Sequence, residues 1–325
     1  MKAIRVHNYG GPEVLTYEDV PDPVPGPGEA LIKMSIIGVN FSDTHTRNGS
    51  SNRPTPVVPG HEGTGTIAAL GEGDSAFKVG DRVVFAGQHH LGTYKELMTI
   101  PTDALVPIPA GIDSKLAVAV MNQGQTAHYL VNEAYPVQSG DRVLIHAGAG
   151  GVGMNLIQMA KMRGGYVYTT VSSQEKADFA RDLGADEVIM YTQTDFVDEI
   201  KQRTNGKGVA AVYDAIGGDN VIKSIECLEA KGYCVTYGQS SGGPTKMEWP
   251  VRGGRGPRSY YLSIHTGADY SRGEENIRTA HEIFRWVREG ALKVHIHAEY
   301  PLAEAAKAHE AIESRGTIGK LLLIP

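Results

Sequence analysis

The residues best placed to do chemistry are the glycines of the run Gly148-Ala149-Gly150-Gly151-Val152-Gly153. A GxGxxG spacing says little by itself in a chain with 40 glycines. Its flanks give it meaning. An apolar strand predicted over 143–147 enters the run, and a helix predicted over 152–162 leaves it, with Val152, Leu156, Met159 and Ala160 on one face. Glycine permits a tight turn and lets a pyrophosphate approach the backbone, while the helix N-terminus offers free N–H groups and a favourable dipole. The next strand, predicted over 166–171, ends Thr169-Thr170-Val171-Ser172-Ser173. No acid stands there to accept from the 2′-hydroxyl of an NAD ribose, and Lys176 follows one helical turn later. Hydroxyls and a cation suit a 2′-phosphate, so the expected cofactor is NADPH. The competing reading makes Ser172 the cap of a helix predicted over 174–183 and Lys176 a solvated surface residue.

No rival chemistry is legible in the sequence: there is no carboxylate pair, Ser-His-Asp set or reactive cysteine. Cys227 and Cys234 are the only cysteines. Two cannot form a four-cysteine zinc lobe or a disulfide framework, which agrees with a reducing compartment.

These residues need two kinds of element around them. Residues 1 to about 120 read as short strands broken by Gly and Pro, at 3–6, 30–37, 65–70 and 82–86, with a Pro-rich connector at 21–29. That pattern suggests a distorted antiparallel barrel. Beyond it strands alternate with helices, the pattern of a parallel sheet with crossover helices; further strands are expected at 187–191, 209–216 and 232–237. After about 260 come two helices, 276–288 (Ile277, Ala280, Phe284 and Val287 at helical spacing) and 302–314, then an apolar strand, 320–324, expected to return to the first domain. The expected organisation is a catalytic domain over 1–120, a nucleotide domain over 121–262 and a returning segment over 263–325.

Composition narrows the function. A chain of 325 residues is long enough for two cores. A net charge of -6 without a basic run does not suggest a nucleic-acid binder. No apolar stretch reaches the ~18 residues of a membrane span. The N-terminus, MKAIRVHNYGG, reads as strand and turn instead of a signal peptide, so a cytosolic protein is expected.

Several segments resemble one family: GVNFSDTHTRNG (38–49), GDRV (80–83), LVNEAYPVQSGDRVLIHAGAGGVG (130–153), VSSQEKA (171–177), VYDAIG (212–217), YGQSSG (237–242) and ESRGTIGKLLLIP (313–325). They are similar, in order and spacing, to the zinc-independent NADPH:quinone oxidoreductases, the zeta-crystallin-like branch of the medium-chain dehydrogenase/reductase superfamily. The resemblance covers nearly the whole chain. It implies an α/β protein with a GroES-like β-barrel catalytic domain, a Rossmann doubly wound parallel sheet, an active-site cleft between them and a homodimer. It also implies site residues. Asn40 would lie near the nicotinamide and substrate. The 147–153 turn would hold the pyrophosphate, and Ser172, Lys176 and Tyr191 would surround the 2′-phosphate. Gly238, Gln239, Ser240 and Ser241 would line the nicotinamide ribose, and Arg315 would contact the cofactor.

Two departures stand out. His45 replaces a tyrosine frequent in similar reductases; it could donate a hydrogen bond over the nicotinamide, or simply fill space. His61-Glu62 looks like the zinc-ligand segment of related alcohol dehydrogenases, but Asn40 and Asn122 stand where further ligands would be needed. Neutral asparagine is a poor zinc ligand, so His61 and Glu62 read as a structural pair, bonded near Asp43. Without zinc to stabilise an alkoxide, alcohol oxidation is disfavoured. Reduction of a quinone, which delocalises the incoming charge itself, is the expected reaction, with Asn40 and His45 as candidate donors. An alkene conjugated to a carbonyl (enone or enoyl thioester) is the alternative. A non-catalytic crystallin-like or RNA-binding protein is the alternative of another class. The loop holding Trp249, Arg252, Arg255 and Arg258 either edges the substrate pocket or is merely solvated.

Overall fold

The computed structural model describes residues 1–73, 76–87, 92–242, 260–263 and 273–325. Two compact units make up the chain, Met1–Gln125 with Gly267–Pro325, and Thr126–Thr266. The first boundary falls inside the helix Ser114–Tyr129.

The first unit is built on the long strand Glu29–Val39. Its apolar residues alternate at first, with Ala30, Ile32, Met34 and Ile36 buried, and then become continuously buried from Ile36 to Val39. One edge pairs antiparallel with Glu62–Leu70. The other edge is shared, antiparallel with Leu97–Pro101 over residues 29–33 and with Lys320–Ile324 over residues 37–39. Ile296–Pro301 lies parallel to that last strand, and Arg82–Ala86 extends the sheet beyond Glu62–Leu70. The core under this sheet includes Ile32, Ile37, Phe85, Tyr94, Ile100 and Leu323. Helix Gly273–Arg288 covers the sheet's flank, but its buried face is Asn276, Thr279, Ala280, Ile283 and Phe284. The expected apolar stripe through Ile277 and Val287 is therefore rotated, because Asn276 is held inside by Gln125, whose Nε2 donates to Asn276 Oδ1 at 2.7 Å.

The second unit is a six-stranded parallel sheet in the order Glu187–Met190, Tyr166–Val171, Arg142–His146, Val209–Asp214, Leu228–Thr236, Tyr260–Ser263. Its central strands are buried along nearly their whole length, Val209–Asp214 throughout, as a sheet covered on both faces requires. The crossover helices are Gly151–Met162, Gln174–Asp182, Phe196–Arg203 and Asn220–Glu226. The first of these is buried from Gly153 to Ala160 instead of along one stripe. Its two buried amides each bond back to their own helix through a donor, Asn155 Nδ2 to Gly151 O at 2.8 Å and Gln158 Nε2 to Met154 O at 2.9 Å, which offsets part of the cost of burying them.

Candidate active site

In the second unit the expected nucleotide residues gather at the carboxyl ends of the parallel strands, where such sheets bind their ligands. Arg142–His146 runs into the glycine turn. Ala147 there takes a left-handed φ of 55°, and Gly148 N donates to Thr170 O at 3.2 Å. The glycines are required by contact. A Cβ on Gly148 would lie 2.0 Å from Thr169 Oγ1, and one on Gly153 would lie 2.2 Å from Ala147 O. Gly150 is the N-cap of the helix Gly151–Met162 and supplies no side chain to satisfy its first N–H groups. Gly151 and Val152 form its first turn. Bare backbone donors at the start of the helix, beside positions 148 and 153 that admit no side chain, fit a pyrophosphate.

Beside this turn, Tyr191 N donates to Val171 O at 3.2 Å and Thr192 Oγ1 to Ser172 O at 3.1 Å. Ser172 and Lys176 are half-buried and Tyr191 is exposed. The helix cap is Ser173, not Ser172: Lys176 N donates to Ser173 Oγ at 3.4 Å. The capping alternative for Ser172 is thereby corrected, because a cap must precede the first helical residue, Gln174, and Ser172 is one position too early. Burial lowers the pKa of Lys176. Gly238 packs on the turn after Val209–Asp214, where a Cβ would lie 2.6 Å from Ala215 O, and Ser240 N donates to Ala215 O at 3.3 Å.

A buried network that the sequence did not reveal ties these turns together. His146 pairs with Thr170 Oγ1 at 2.8 Å and Ser224 Oγ at 3.0 Å. Ser224 Oγ donates to Asp214 Oδ2 at 2.8 Å, and Asp214 Oδ1 accepts from Ile216 N and Gly217 N. Burial lowers the pKa of His146 more than Asp214 raises it. The only sequence signal was an acid closing an apolar strand, in VYDAIG.

In the first unit, Asn40 N-caps the helix Phe41–Asn48, and its backbone N–H donates to Asp43 Oδ2 at 2.9 Å. Its carboxamide is buried in a polar cluster. Nδ2 donates to Glu62 Oε1 at 2.5 Å, and Oδ1 accepts from Lys320 Nζ at 3.1 Å, Asn122 Nδ2 at 3.3 Å and Gln123 Nε2 at 3.4 Å. Lys320 also pairs with Glu62, and both side chains are fully buried. His61 Nδ1 meets Asp43 Oδ1 at 2.9 Å, and His61 Nε2 lies 3.4 Å from Ser42 Oγ. The sequence reading joined His61 to the Asp43 loop but missed Lys320, Asn122's contact with Asn40, and Gln123. His45 is half-buried, edge-on to Phe41 with ring centroids 5.7 Å apart. Burial lowers its pKa more than Asp43 raises it. Arg315 belongs to this unit and is exposed, with a left-handed φ of 58°. Trp249, Arg252, Arg255 and Arg258 lie outside the described residues.

These residues do not fit a catalytic zinc. His61 and Glu62 are already paired with Asp43 and Lys320, Asn40 and Asn122 are neutral, and a buried ammonium in the same cluster opposes a dication. Among the described residues no group of three or more His, Cys, Asp or Glu side chains could hold a metal ion.

A GroES-like unit joined to a dinucleotide-type parallel sheet defines the medium-chain dehydrogenase/reductase class. The description "Alcohol dehydrogenase GroES-like domain" matches residues 26–110, and "Zinc-binding dehydrogenase" matches residues 183–323. A quinone oxidoreductase of Pseudomonas aeruginosa is 38% identical, over 100% of this chain and 99% of its own. A 2-haloacrylate reductase of a Burkholderia species is 36% identical, over 99% of this chain and 98% of its own. The crystal structure of Escherichia coli quinone oxidoreductase complexed with NADPH is similar at a TM-score of 0.95, with 35% identity and 100% of both chains covered. The chain belongs to the quinone oxidoreductase family of that superfamily.

Proposed function

We propose that this chain reduces quinones with NADPH and without a metal. The observation that carries the cofactor choice is the end of Tyr166–Val171: Ser172 and Lys176 stand beside the glycine turn where an NAD site would place an acid. The quinone oxidoreductases to which the chain is similar, one of them complexed with NADPH, support the same reading.

Bound NADPH supplies a hydride. The residues of this chain do the remaining work. Gly148 and Gly150 shape the turn, their own N–H groups bonded to Thr170 O and Ala147 O, and the first-turn N–H groups of Gly151, Val152 and Gly153 hold the pyrophosphate. Ser172, Lys176 and Tyr191 hold the 2′-phosphate. Gly238 and Ser240 border the nicotinamide ribose, and Arg315 contacts the cofactor. Asn40 and His45 donate hydrogen bonds to the acceptor oxygen, on which negative charge develops as the hydride arrives. His45, with its lowered pKa, acts there as a neutral donor, and the oxygen takes its proton from water. The products are hydroquinone and NADP+.

A second reading has one specific support, the similarity to 2-haloacrylate reductase: the hydride goes to an alkene conjugated to a carbonyl. Among the described residues no helix is long and apolar enough to cross a membrane. A cytoplasmic homodimer completes the proposal. The test is steady-state oxidation of NADPH over a panel of quinones, enones and enoyl-CoA esters. Turnover of quinones above the others supports the proposal, turnover confined to enones or enoyl esters transfers it to the second reading, and no turnover of any acceptor overturns both.

A further inference from the structure

We infer that Lys320, 280 positions from Asn40 in the chain, is a positioning residue for the reaction: with Glu62 it locks the Asn40 carboxamide so that an N–H, and not the oxygen, is available to the hydride acceptor. The inference rests on the proposed reading that Asn40 meets the acceptor. A carboxamide is nearly symmetric in shape, and a half-turn exchanges its oxygen for its nitrogen; only its partners decide which end is where. Here the partners are unambiguous. Glu62, a carboxylate, only accepts, and it takes one hydrogen of Asn40 Nδ2 at 2.5 Å. Lys320, an ammonium, only donates, and it faces Asn40 Oδ1 at 3.1 Å. Asn122 Nδ2 and Gln123 Nε2 add two more donors to the same oxygen. A flipped amide would set its NH2 against the ammonium and its oxygen against the carboxylate, in a fully buried site where both repulsions are strong.

The lock has a chemical consequence. Nδ2 carries two hydrogens, and Glu62 takes one. The other suits a carbonyl oxygen gaining negative charge, as in a quinone or an enone. The oxygen of Asn40, held by three donors, is not free to take that place. Lys320 thus keeps an N–H turned to the acceptor oxygen through Asn40 without touching the acceptor.

The test compares Lys320→Met, Lys320→Arg, the double variant Lys320→Met/Glu62→Gln, and Asn40→Ala in the full chain. Lys320→Met strands a buried carboxylate and is open to misfolding. The double variant removes both charges together, a change that buried ion pairs commonly tolerate. The expected result for it is a thermal midpoint near wild type, an unchanged NADPH dissociation constant, and a kcat for quinone lowered roughly tenfold to hundredfold. Lys320→Arg, which still donates to both partners, should restore most of kcat. A folded double variant with wild-type kcat, while Asn40→Ala is slow, overturns the role of Lys320 and leaves the reading of Asn40 intact. Asn40→Ala with wild-type kcat overturns that reading and the inference with it. A second measurement needs no variant of Lys320 to fold. In wild-type protein labelled with 15N-asparagine, the Asn40 amide hydrogen that faces Glu62, assigned against Asn40→Ala, should exchange slowly in D2O; exchange of that hydrogen as fast as in an exposed asparagine overturns the lock.

Discussion

His61 Nδ1 and Asp43 Oδ1 stand 2.9 Å apart inside the first unit, both side chains buried. Burial alone would push the Asp43 carboxyl up and the His61 imidazole down; their mutual attraction and hydrogen bonds reverse both, leaving Asp43 below and His61 above its ordinary value. Glu62 and Lys320 also act on His61, in opposite directions.

The pair therefore makes stability depend on pH. A raised histidine pKa gives a contribution that is complete below the ordinary 6.5 and lost as pH climbs through the folded value. A lowered aspartate pKa gives one that is present above the ordinary 3.8 and lost as pH falls through the folded value. The thermal midpoint of the wild type should fall as pH rises from the ordinary 6.5 through the raised folded value of His61, and the fall should shrink in His61→Gln. Equal slopes for the two proteins, measured by scanning calorimetry, would show that the pair does not titrate in this range.

The cofactor preference should reside in Lys176 and Ser172. A hydrogen bond to a charged group contributes about 1.5–3 kcal/mol, so Lys176→Ala should weaken NADPH roughly ten- to hundredfold and leave NADH nearly unchanged. Ser173→Ala tests the cap assignment separately. It should cost about 1 kcal/mol or less of stability and leave the ratio of the two dissociation constants alone. Equal weakening of both cofactors by Lys176→Ala would remove the 2′-phosphate contact.

His45→Phe keeps a ring beside Phe41 and deletes the N–H. Turnover of different acceptors should change unequally, by up to about tenfold for those that rely on the donor, while NADPH affinity stays within about twofold. Unchanged rates toward every acceptor would make His45 a space-filling residue.

Prolonged chelation should leave activity intact, because the His61–Glu62 segment is occupied by its own partners. Elemental analysis of active protein should find zinc well below one per chain. A zinc content near one that rises and falls with activity would show that the cluster around Asn40 rearranges to bind metal.

Two of the helices that escaped the sequence reading show where local patterns fail. Phe41–Asn48 reads FSDTHTRN, with no apolar repeat; its buried residues are Asp43, Thr44, Thr46 and Arg47, all polar. They lie inside because partners elsewhere in the chain receive them, such as Arg47 NH1 donating to Glu313 Oε2 at 3.0 Å and Tyr94 donating to Asp43 at 3.0 Å. Ser114–Tyr129 carries apolar residues too evenly to show a face, since Ala117 to Met121 are all buried. Periodicity reports a helix with one wet side, and neither of these has one.

What the sequence alone determined is what neighbours in the chain can settle. The strand, glycine turn and helix at 142–162 are contiguous, and the turn's chemistry follows from residues a few positions apart. The missing acid after Val171 was legible for the same reason. The orientation of Asn40 was not. It depends on Glu62, Asn122, Gln123 and Lys320, which reach it from Glu62–Leu70, from Ser114–Tyr129 and from the last strand of the chain. No spacing rule links positions 40 and 320. Lys320 meets Asn40 because Lys320–Ile324 pairs antiparallel with the end of Glu29–Val39, matching Leu321 to Val39. Only that register, set by sheet hydrogen bonds and the packing of Leu321 and Leu323 into the core, carries an ammonium into the interior beside a carboxamide.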